Sequence, residues 1–230
     1  MSSRRPPAPS GPAGVRNAYA SHVDGAAGHY RDAGASYANP HEPGVREMLR
    51  AAVEAWPTLW APRGGGDDDA LAADDGESNA ETASVSVSSD RILDLSCGSG
   101  EVTLALRDAG VSVHRVDACD PYTSEAFARR VGAAVPFYPW SFEDIACGGV
   151  LEGRRWRVVV CSFAMHLCPP SYLRLLCAAL AAATDELIVL TPHKNPHIPP
   201  EFGWTLAREA KARSIHWSPY DRVRVVNAVS

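Results

Sequence analysis

Several patterns that define protein classes are missing from this 230-residue sequence. Its six cysteines form no C-x-x-C pair, so we expect no zinc or other metal site, and free cysteines suit a reducing compartment. No apolar run approaches the ~18 residues that a membrane-spanning helix needs, so no membrane partner is expected. The N-terminal residues lack the apolar segment of a secretory signal. We therefore expect a cytoplasmic protein, with a nuclear or mitochondrial location left open.

Basic residues are missing from one long stretch. Residues 64–89 carry seven Asp and Glu and no Lys or Arg. The formal net charge of −5 becomes about +2 when these seven acids are set aside. A surplus this small does not favour nucleic-acid binding by charge alone.

Composition divides the chain into four parts. Residues 1–16 are rich in Pro, Ser and Gly, and residues 63–87 are acidic and poor in apolar residues, so both are predicted to be disordered. Residues 17–62 are predicted to hold N-terminal helices, because apolar residues recur at helical spacing from residue 44 to residue 56, just before Pro57. Residues 88–230 are predicted to form the core.

The core alternates between short apolar runs and helical patterns, which predicts an α/β fold with a doubly wound, mostly parallel sheet. Strands are predicted at 92–95, 111–119, 133–138, 156–161 and 186–190, helices at 101–110, 124–131 and 171–183, and a loop or short turn at 141–146. Residues 205–213 fit a helix or an irregular strand, and residues 222–229 fit a final strand.

This core is organised around a glycine-rich turn between its first strand and first helix. The sequence reads Ile-Leu-Asp-Leu at 92–95 and Ser-Cys-Gly-Ser-Gly at 96–100, and Glu101 opens a helical pattern. Glycines let the backbone turn tightly and approach a ligand closely, because they carry no Cβ atom. The N–H groups and the dipole of the following helix favour a carboxylate or a phosphate.

Two classes of cofactor site use such a corner. A dinucleotide site prefers G-x-G-x-x-G, and the third glycine position holds Thr103 here, so that pattern is incomplete. The pattern hydrophobic-Asp-x-x-Cys-Gly-x-Gly, which starts at Asp94, resembles the first motif of class I S-adenosylmethionine-dependent methyltransferases. The resemblance covers 88–194 and implies a Rossmann-like sheet of seven strands, the last antiparallel, beneath N-terminal lid helices. The C-terminal region is short for that ending, so we expect a trimmed edge or a hairpin.

The resemblance also implies S-adenosyl-L-methionine as the cofactor. In the family, the acid of the first motif helps to hold the ammonium group, and the glycine loop passes under the methionine part. An acid after the second strand bonds the ribose hydroxyls, residues after the third strand contact the adenine, and the fourth motif borders adenine and substrate. By this resemblance the cofactor-binding residues are Asp94, Ser96, Cys97, Gly98, Ser99, Gly100, Asp120, Pro121, Ser141, Phe142, Ser162 and Phe163.

Two acids compete for the ribose position. Asp117 and Asp120 lie at similar distances in sequence from the glycine loop, so spacing does not decide between them. Apolar residues continue beyond Asp117, whereas Asp120 is followed by Pro121, which cannot continue a central ladder. We therefore expect Asp117 to lie inside the strand and Asp120 to lie at its end.

Candidate residues for the acceptor side are histidines and tyrosines. His166 is the candidate general base, because histidine exchanges protons near neutral pH and the resemblance places it beside the methyl donor. His41 and His193 are second candidates, although many enzymes of the family act mainly by proximity and orientation. Tyr30 and Tyr37 are candidate lid residues, and the alternative is that they only pack.

Further missing motifs narrow the reaction. Neither Asn/Asp-Pro-Pro-Tyr/Phe nor Pro-Cys follows the predicted fourth strand, so the nucleobase-amine and cytosine-C5 patterns are not met. The signature of zinc deaminases is missing as well. We expect methyl transfer to an O or N atom of a small-molecule acceptor. An RNA methyltransferase that uses the Arg-containing N-terminus together with Arg129, Arg130 and Lys194 is one alternative. A catalytically silent module that binds cofactor or a partner is another.

Overall fold

A seven-stranded sheet forms the centre of the molecule. The computed structural model describes residues 25–62, 90–191, 196–210 and 222–228. The strands are β1 (Ile92–Leu95), β2 (Val116–Cys119), β3 (Phe137–Tyr138), β4 (Val158–Ser162), β5 (Glu186–Thr191), β6 (Trp204–Ala210) and β7 (Arg222–Ala228). Their order is β3-β2-β1-β4-β5-β7-β6. The first five strands are parallel and β7 is antiparallel to both neighbours, which confirms the predicted fold class.

The strand order reverses between β1 and β4, which pair with each other in the middle of the sheet. Chain connections leave the sheet on opposite sides at such a point, and ligands of open α/β sheets bind beyond the carboxyl ends of the two strands there; we call this place the crevice. The glycine-rich turn follows β1 directly, and it therefore lies at this crevice.

Seven helices accompany the sheet in the described ranges. They are α1 (Gly25–Ala33), α2 (Glu42–Ala55), α3 (Pro57–Trp60), α4 (Glu101–Asp108), α5 (Ser124–Val131), α6 (Phe142–Cys147) and α7 (Pro170–Ala183). Proline occupies the first turn of α2, α3 and α7, where its missing N–H has no helical partner to lose. None of these helices is long and apolar enough to cross a membrane.

Two apolar layers cover the two faces of the sheet. On one face, α2 and α4 pack against alternate strand residues; this layer includes Val45, Met48, Leu49, Ile92, Leu106, Val158, Val160 and Ile188. On the other face, α6 and α7 cover the intervening residues; this layer includes Leu93, Ile145, Val159, Leu176, Leu180, Leu187 and Trp204. Helix α2 is thus part of the main core, because its apolar side is buried against the sheet as fully as that of α4.

Arginines from the core hold the N-terminal helices in place. Arg115 donates to the carbonyl oxygen of Trp60 at 2.6 Å, and Arg157 donates to that of Leu59 at 2.8 Å. These are carbonyls of the last turn of α3, which have no partner within the helix. Positive groups at that end also complement the helix dipole.

Some element boundaries differ from the sequence prediction. Residues 141–146 were expected to form a loop or short turn, and this was wrong, because they enter α6. A capping box starts this helix: the Ser141 hydroxyl accepts from the Asp144 N–H at 3.1 Å, and the Asp144 carboxylate accepts from the Ser141 N–H at 2.9 Å. Strand β3 begins only after Pro136, which cannot donate to the ladder. The helix predicted at 44–56 does end before Pro57, because α2 stops at Ala55, and Pro57 then opens the short helix α3.

The sheet ends in an antiparallel pair. β6 contains an irregularity between Leu206 and Arg208, and it pairs with β7 at the edge of the sheet. This confirms the irregular strand and the final strand that the sequence allowed. All seven strands are present, and a short 3₁₀ turn at Pro200–Phe202 precedes β6. The short C-terminal region therefore completes the sheet through a hairpin-like pair.

Candidate active site

The glycine loop turns back sharply at the end of β1. Ser96, Gly98 and Gly100 all have positive φ angles, of 57°, 56° and 94°. The Cys97 N–H donates to the Cys119 carbonyl at 3.0 Å and thereby ties the loop to the end of β2. The turn delivers the chain to the N-terminus of α4, which begins at Glu101.

The two glycines of the loop face different neighbours. A Cβ atom on Gly100 would lie 2.4 Å from a methyl carbon of Val131, so Gly100 allows the loop to pack against α5. A Cβ atom on Gly98 would lie 2.9 Å from the Tyr37 ring and 2.9 Å from a Glu101 oxygen. Gly98 thus lies on the side of the loop that the segment before α2 covers.

Asp94 is fully buried in β1 and has one carboxylate oxygen in use. Its Oδ2 accepts from the Thr103 N–H at 3.1 Å and from the Thr103 hydroxyl at 2.7 Å. Its Oδ1 is buried without a hydrogen-bond partner among the described residues. Burial raises the pKa of Asp94 to about 7. The residue that replaces the third glycine of the dinucleotide pattern therefore holds this carboxylate in place.

Asp120 directly follows β2, where the sequence placed the end of the strand. Its Oδ1 accepts from the N–H groups of Tyr122 and Thr123 at 2.9 and 3.1 Å, and its Oδ2 accepts from the Gly98 N–H at 3.3 Å. Burial raises its pKa, and these hydrogen bonds oppose that shift. The Asp120 carboxylate thus joins the end of β2 to the glycine loop.

Glu101 is a site residue that the sequence interpretation missed. Its carboxylate is buried, it accepts from the Ser99 N–H at 3.2 Å and from the Ser99 hydroxyl, and it pairs with Arg130 at 3.0 Å. An acid in the first turn of a helix is favoured by the dipole and would be exposed in most sequences, so the sequence alone did not mark it as buried. Its partner Arg130 lies on α5, 29 residues away.

Asp117 lies inside β2, away from the strand end, as expected. It accepts from Arg91 at 2.5 and 2.9 Å and from the Trp156 indole N–H at 2.8 Å. Its side chain is buried. Asp117 therefore holds the neighbouring strands together rather than facing the crevice.

Replacing Asp117 with alanine should destabilise the fold, because the largely buried Arg91 and Trp156 donors would lose their shared acceptor. Breaking a buried pair costs ~3–5 kcal/mol, and partial exposure of Arg91 reduces this to about 2–4 kcal/mol. Urea denaturation measures the change. The matched control is Asp185→Ala, whose pair with Arg155 is exposed and should cost under ~1 kcal/mol. Equal losses in the two variants would contradict this interpretation.

The loop after β4 contains a residue other than glycine with a positive φ angle, as the glycine loop does at Ser96. Phe163 has a φ angle of 55°, which is costly for a residue with a Cβ atom. The Ser162 hydroxyl before it is buried and has no hydrogen-bond partner among the described residues. The His41 ring stacks on Phe163, with ring centres 5.3 Å apart and an interplanar angle of 15°. His166 is exposed on the 3₁₀ turn Met165–Leu167, which begins two residues after Phe163, and its catalytic role stays a prediction.

Tyrosines cover the β2 side of the crevice. The Tyr30 ring contacts the Tyr37 ring edge-on at 5.4 Å, and it lies nearly parallel to the Tyr122 ring at 6.5 Å. Tyr122 follows Asp120 by two residues, and Tyr37 touches the glycine loop. The two tyrosines predicted as lid or packing residues therefore pack on each other and on the loops of the crevice.

Other predicted residues have structural partners or lie outside the description. The Ser141 hydroxyl caps α6, so part of its bonding capacity is used there, and its contact with adenine stays a prediction. His193 and Lys194 lie outside the described residues, and so do residues 1–16 and 63–87, for which the sequence predicts disorder. Within the described part of the chain, no group of His, Cys, Asp and Glu side chains could hold a metal ion.

The sheet order and the glycine loop define the fold of class I methyltransferases. The structure is similar to magnesium protoporphyrin IX methyltransferase (ChlM) from Synechocystis PCC 6803, solved with bound SAM; the TM-score is 0.51, the identity is 17%, and the match covers 94% of each chain. No protein-family model matches the sequence. The chain belongs to the family of the uncharacterised protein C17A5.05c of Schizosaccharomyces pombe, to which it is 30% identical over 225 residues, covering 84% of this chain and 80% of that protein.

Proposed function

We propose that this protein binds S-adenosylmethionine and transfers its methyl group to an oxygen or nitrogen atom of a small-molecule acceptor. The observation that carries the proposal is the fully buried Oδ1 of Asp94, which has no hydrogen-bond partner among the described residues and lies beside a glycine loop at the switch point of the sheet. A buried carboxylate oxygen without a partner is costly, and such costs persist mainly where a ligand offsets them. An ammonium group is a suitable partner for it.

The residues around the loop suit the remaining parts of this cofactor. When bound, S-adenosylmethionine supplies an electrophilic methyl group on a positively charged sulfur atom. Asp94, Glu101 and Asp120 are three buried acids, and only Glu101 among them is paired with a described basic side chain, Arg130. Their surplus negative charge favours a cationic ligand. Asp120 can accept from ribose hydroxyls at the crevice, and the N-terminus of α4 favours the carboxylate of the ligand.

The acceptor would lie beside the loop after β4. Ser162 offers a buried hydroxyl without a described partner, and the stacked rings of Phe163 and His41 form an aromatic wall there. These groups can hold an acceptor in line with the methyl group, which by itself accounts for much of the rate enhancement in transfers of this kind. His166, or His41 in second place, would remove the acceptor proton. The similar fold of an enzyme named for a porphyrin acceptor supports a small molecule over RNA.

Cofactor binding is tested first with the variant Gly98→Val. A valine there would place its side chain against Tyr37 and into the space that the ligand approaches, so calorimetry should detect no binding of S-adenosylmethionine. Gly110→Val is the matched control, because Gly110 also has a positive φ angle, 88°, but a Cβ atom there would meet open space. The control should bind like the unmodified protein. Unchanged binding by Gly98→Val would show that this loop does not hold the cofactor.

The acceptor is tested with S-adenosylmethionine that carries a tritiated methyl group. We expect label in the small-molecule fraction of a cell extract, and no label when Gly98→Val replaces the unmodified protein. Label in the RNA fraction would overturn the small-molecule acceptor and support the RNA alternative. Cofactor binding without transfer to any fraction would identify a silent binding module.

A further inference from the structure

The segment between α1 and α2 lies across the carboxyl edge of the sheet. We name residues 34–42 the strap; it runs from the end of α1 to Glu42, the first residue of α2. At the β2 end, a Cβ atom on Gly34 would lie 2.2 Å from the Tyr122 carbonyl oxygen, so the two backbones are in close contact. The strap then places Tyr37 on the loop after β1 and His41 on the loop after β4. It therefore touches the ends of three neighbouring strands, β2, β1 and β4.

One side chain joins the strap to the glycine loop. Arg130 of α5 donates through Nη1 to the Ser99 hydroxyl at 2.7 Å and to Glu101 Oε1 at 3.0 Å. Through Nη2 it donates to Glu42 Oε1 at 2.7 Å, at the strap end where α2 begins. The planar guanidinium of Arg130 holds Glu42, Ser99 and Glu101 in one fixed geometry. If Glu42 moves away, the guanidinium is freed, and the orientation of Ser99 and Glu101 is loosened with it.

We propose that Arg130 latches the strap to the glycine loop, so that the strap opens and the loop loosens as one event, and that this event sets the rate of cofactor exchange. The identity of the ligand rests on the function proposed above, whereas the coupling between strap and loop does not. Lids that cover ligand sites commonly limit exchange in this way, and the strap covers the loop that the ligand must reach.

Glu42→Gln is the variant that weakens the latch. It keeps the shape of the side chain and one acceptor oxygen but removes the charge, and charge-assisted hydrogen bonds are about twice as strong as neutral ones. Glu42 Oε1 also accepts from Arg46 of the same helix at 2.9 and 3.1 Å, so the variant weakens that i,i+4 pair as well, and Glu54→Gln accounts for the loss of such a pair. Substitution of Arg130 is less suitable, because it would leave the buried Glu101 carboxylate unpaired. Glu54→Gln is the matched control on the same helix, since Glu54 pairs with Arg50 at 2.7 Å on the exposed side of α2.

Hydrogen–deuterium exchange of the ligand-free protein tests the coupling. In Glu42→Gln, the amides of the strap and of residues 97–103 should both exchange about threefold to tenfold faster. This factor corresponds to the loss of about half the strength of one charge-assisted hydrogen bond. Glu54→Gln should leave both segments unchanged. Faster exchange confined to the strap would overturn the latch, because the loop would then be independent of it. Unchanged exchange in both segments would overturn it as well.

Binding kinetics of S-adenosylhomocysteine on the immobilised protein test the gate. Association and dissociation rates should both rise about threefold to tenfold in Glu42→Gln, with a smaller change in the dissociation constant, because a gate slows entry and exit alike. A rise in dissociation alone would show that Glu42 merely supports the bound ligand, and that outcome contradicts gating. If the unmodified protein binds neither S-adenosylhomocysteine nor S-adenosylmethionine, the proposed function and the gate both fail, and the exchange result still decides the coupling.

Discussion

Asp120→Ala should weaken the binding of S-adenosylmethionine by about tenfold to a hundredfold. A hydrogen bond to a charged group contributes ~1.5–3 kcal/mol, and each factor of ten in affinity corresponds to ~1.4 kcal/mol. Asp117→Ala should change the affinity much less, because Asp117 is bonded to Arg91 and Trp156 inside the strand. Calorimetry on both variants measures the dissociation constants. The reverse order of the two effects would contradict the assignment of Asp120 to the ribose.

Asp120 also holds the glycine loop, and a second measurement separates this role from ribose binding. Its Oδ2 accepts from the Gly98 N–H at 3.3 Å, so its loss can shift the loop as well as remove an acceptor. An S-adenosylhomocysteine analogue without the ribose 2′-hydroxyl separates the two contributions. The unmodified protein should bind this analogue more weakly than S-adenosylhomocysteine, whereas Asp120→Ala should bind both equally. If the variant still discriminates between them, another residue contacts the hydroxyl.

Asp94→Asn should stabilise the folded protein at pH 8 while it weakens cofactor binding. Burial raises the pKa of Asp94 from 3.8 to about 7, and each unit corresponds to ~1.4 kcal/mol. The charged carboxylate therefore costs the fold on the order of 4 kcal/mol at pH 8. Asparagine removes the charge and can still accept from Thr103, but its amide N–H₂ would need a new acceptor. We expect a net gain of about 1–3 kcal/mol in the free energy of unfolding.

The gain should depend on pH in a defined direction. The unfolded chain releases the Asp94 proton near pH 4, whereas the folded protein releases it near pH 7. Between these values the folded state holds more protons, so the stability contribution of Asp94 falls as the pH rises. The difference between Asp94→Asn and the unmodified protein should be small at pH 4, grow towards pH 7, and level off above it. Denaturation curves at several pH values measure this difference, and a difference that does not vary with pH would contradict the buried charge.

Cofactor binding should follow the opposite trend. The Asp94 carboxylate must be ionised to accept from an ammonium group at full strength, so affinity for S-adenosylmethionine should rise between about pH 6 and pH 7.5, below the ordinary α-amino pKa of about 7.7–8.0. Asp94→Asn should bind more weakly and should lose this dependence. Such a residue destabilises the free protein and serves the ligand, which is a common relation between stability and activity at binding sites.

The sequence by itself determined the local parts of this site. The apolar run of β1, the glycine turn and the start of α4 follow one another directly in the chain. Each of them is specified by the types of a few consecutive residues. The same is true of the end of β2, since Pro121 marks it. The sequence also contains a signal for the helix α6, because Ser-x-x-Asp at 141–144 is a capping pattern that marks the start of a helix.

Only the tertiary structure decided how distant parts meet. Glu42 and Arg130 are 88 residues apart, and no local periodicity relates an acid at the start of one helix to a base on another. The burial of Glu101, the bond from Thr103 to Asp94 and the strap across three strand ends depend on how α2, α4 and α5 pack on the sheet. Packing is a property of volumes and surfaces in contact, whereas a sequence pattern records only spacing along one element. The strand, turn and helix start of the glycine corner were therefore predictable, and the contacts of Arg130 above it were not.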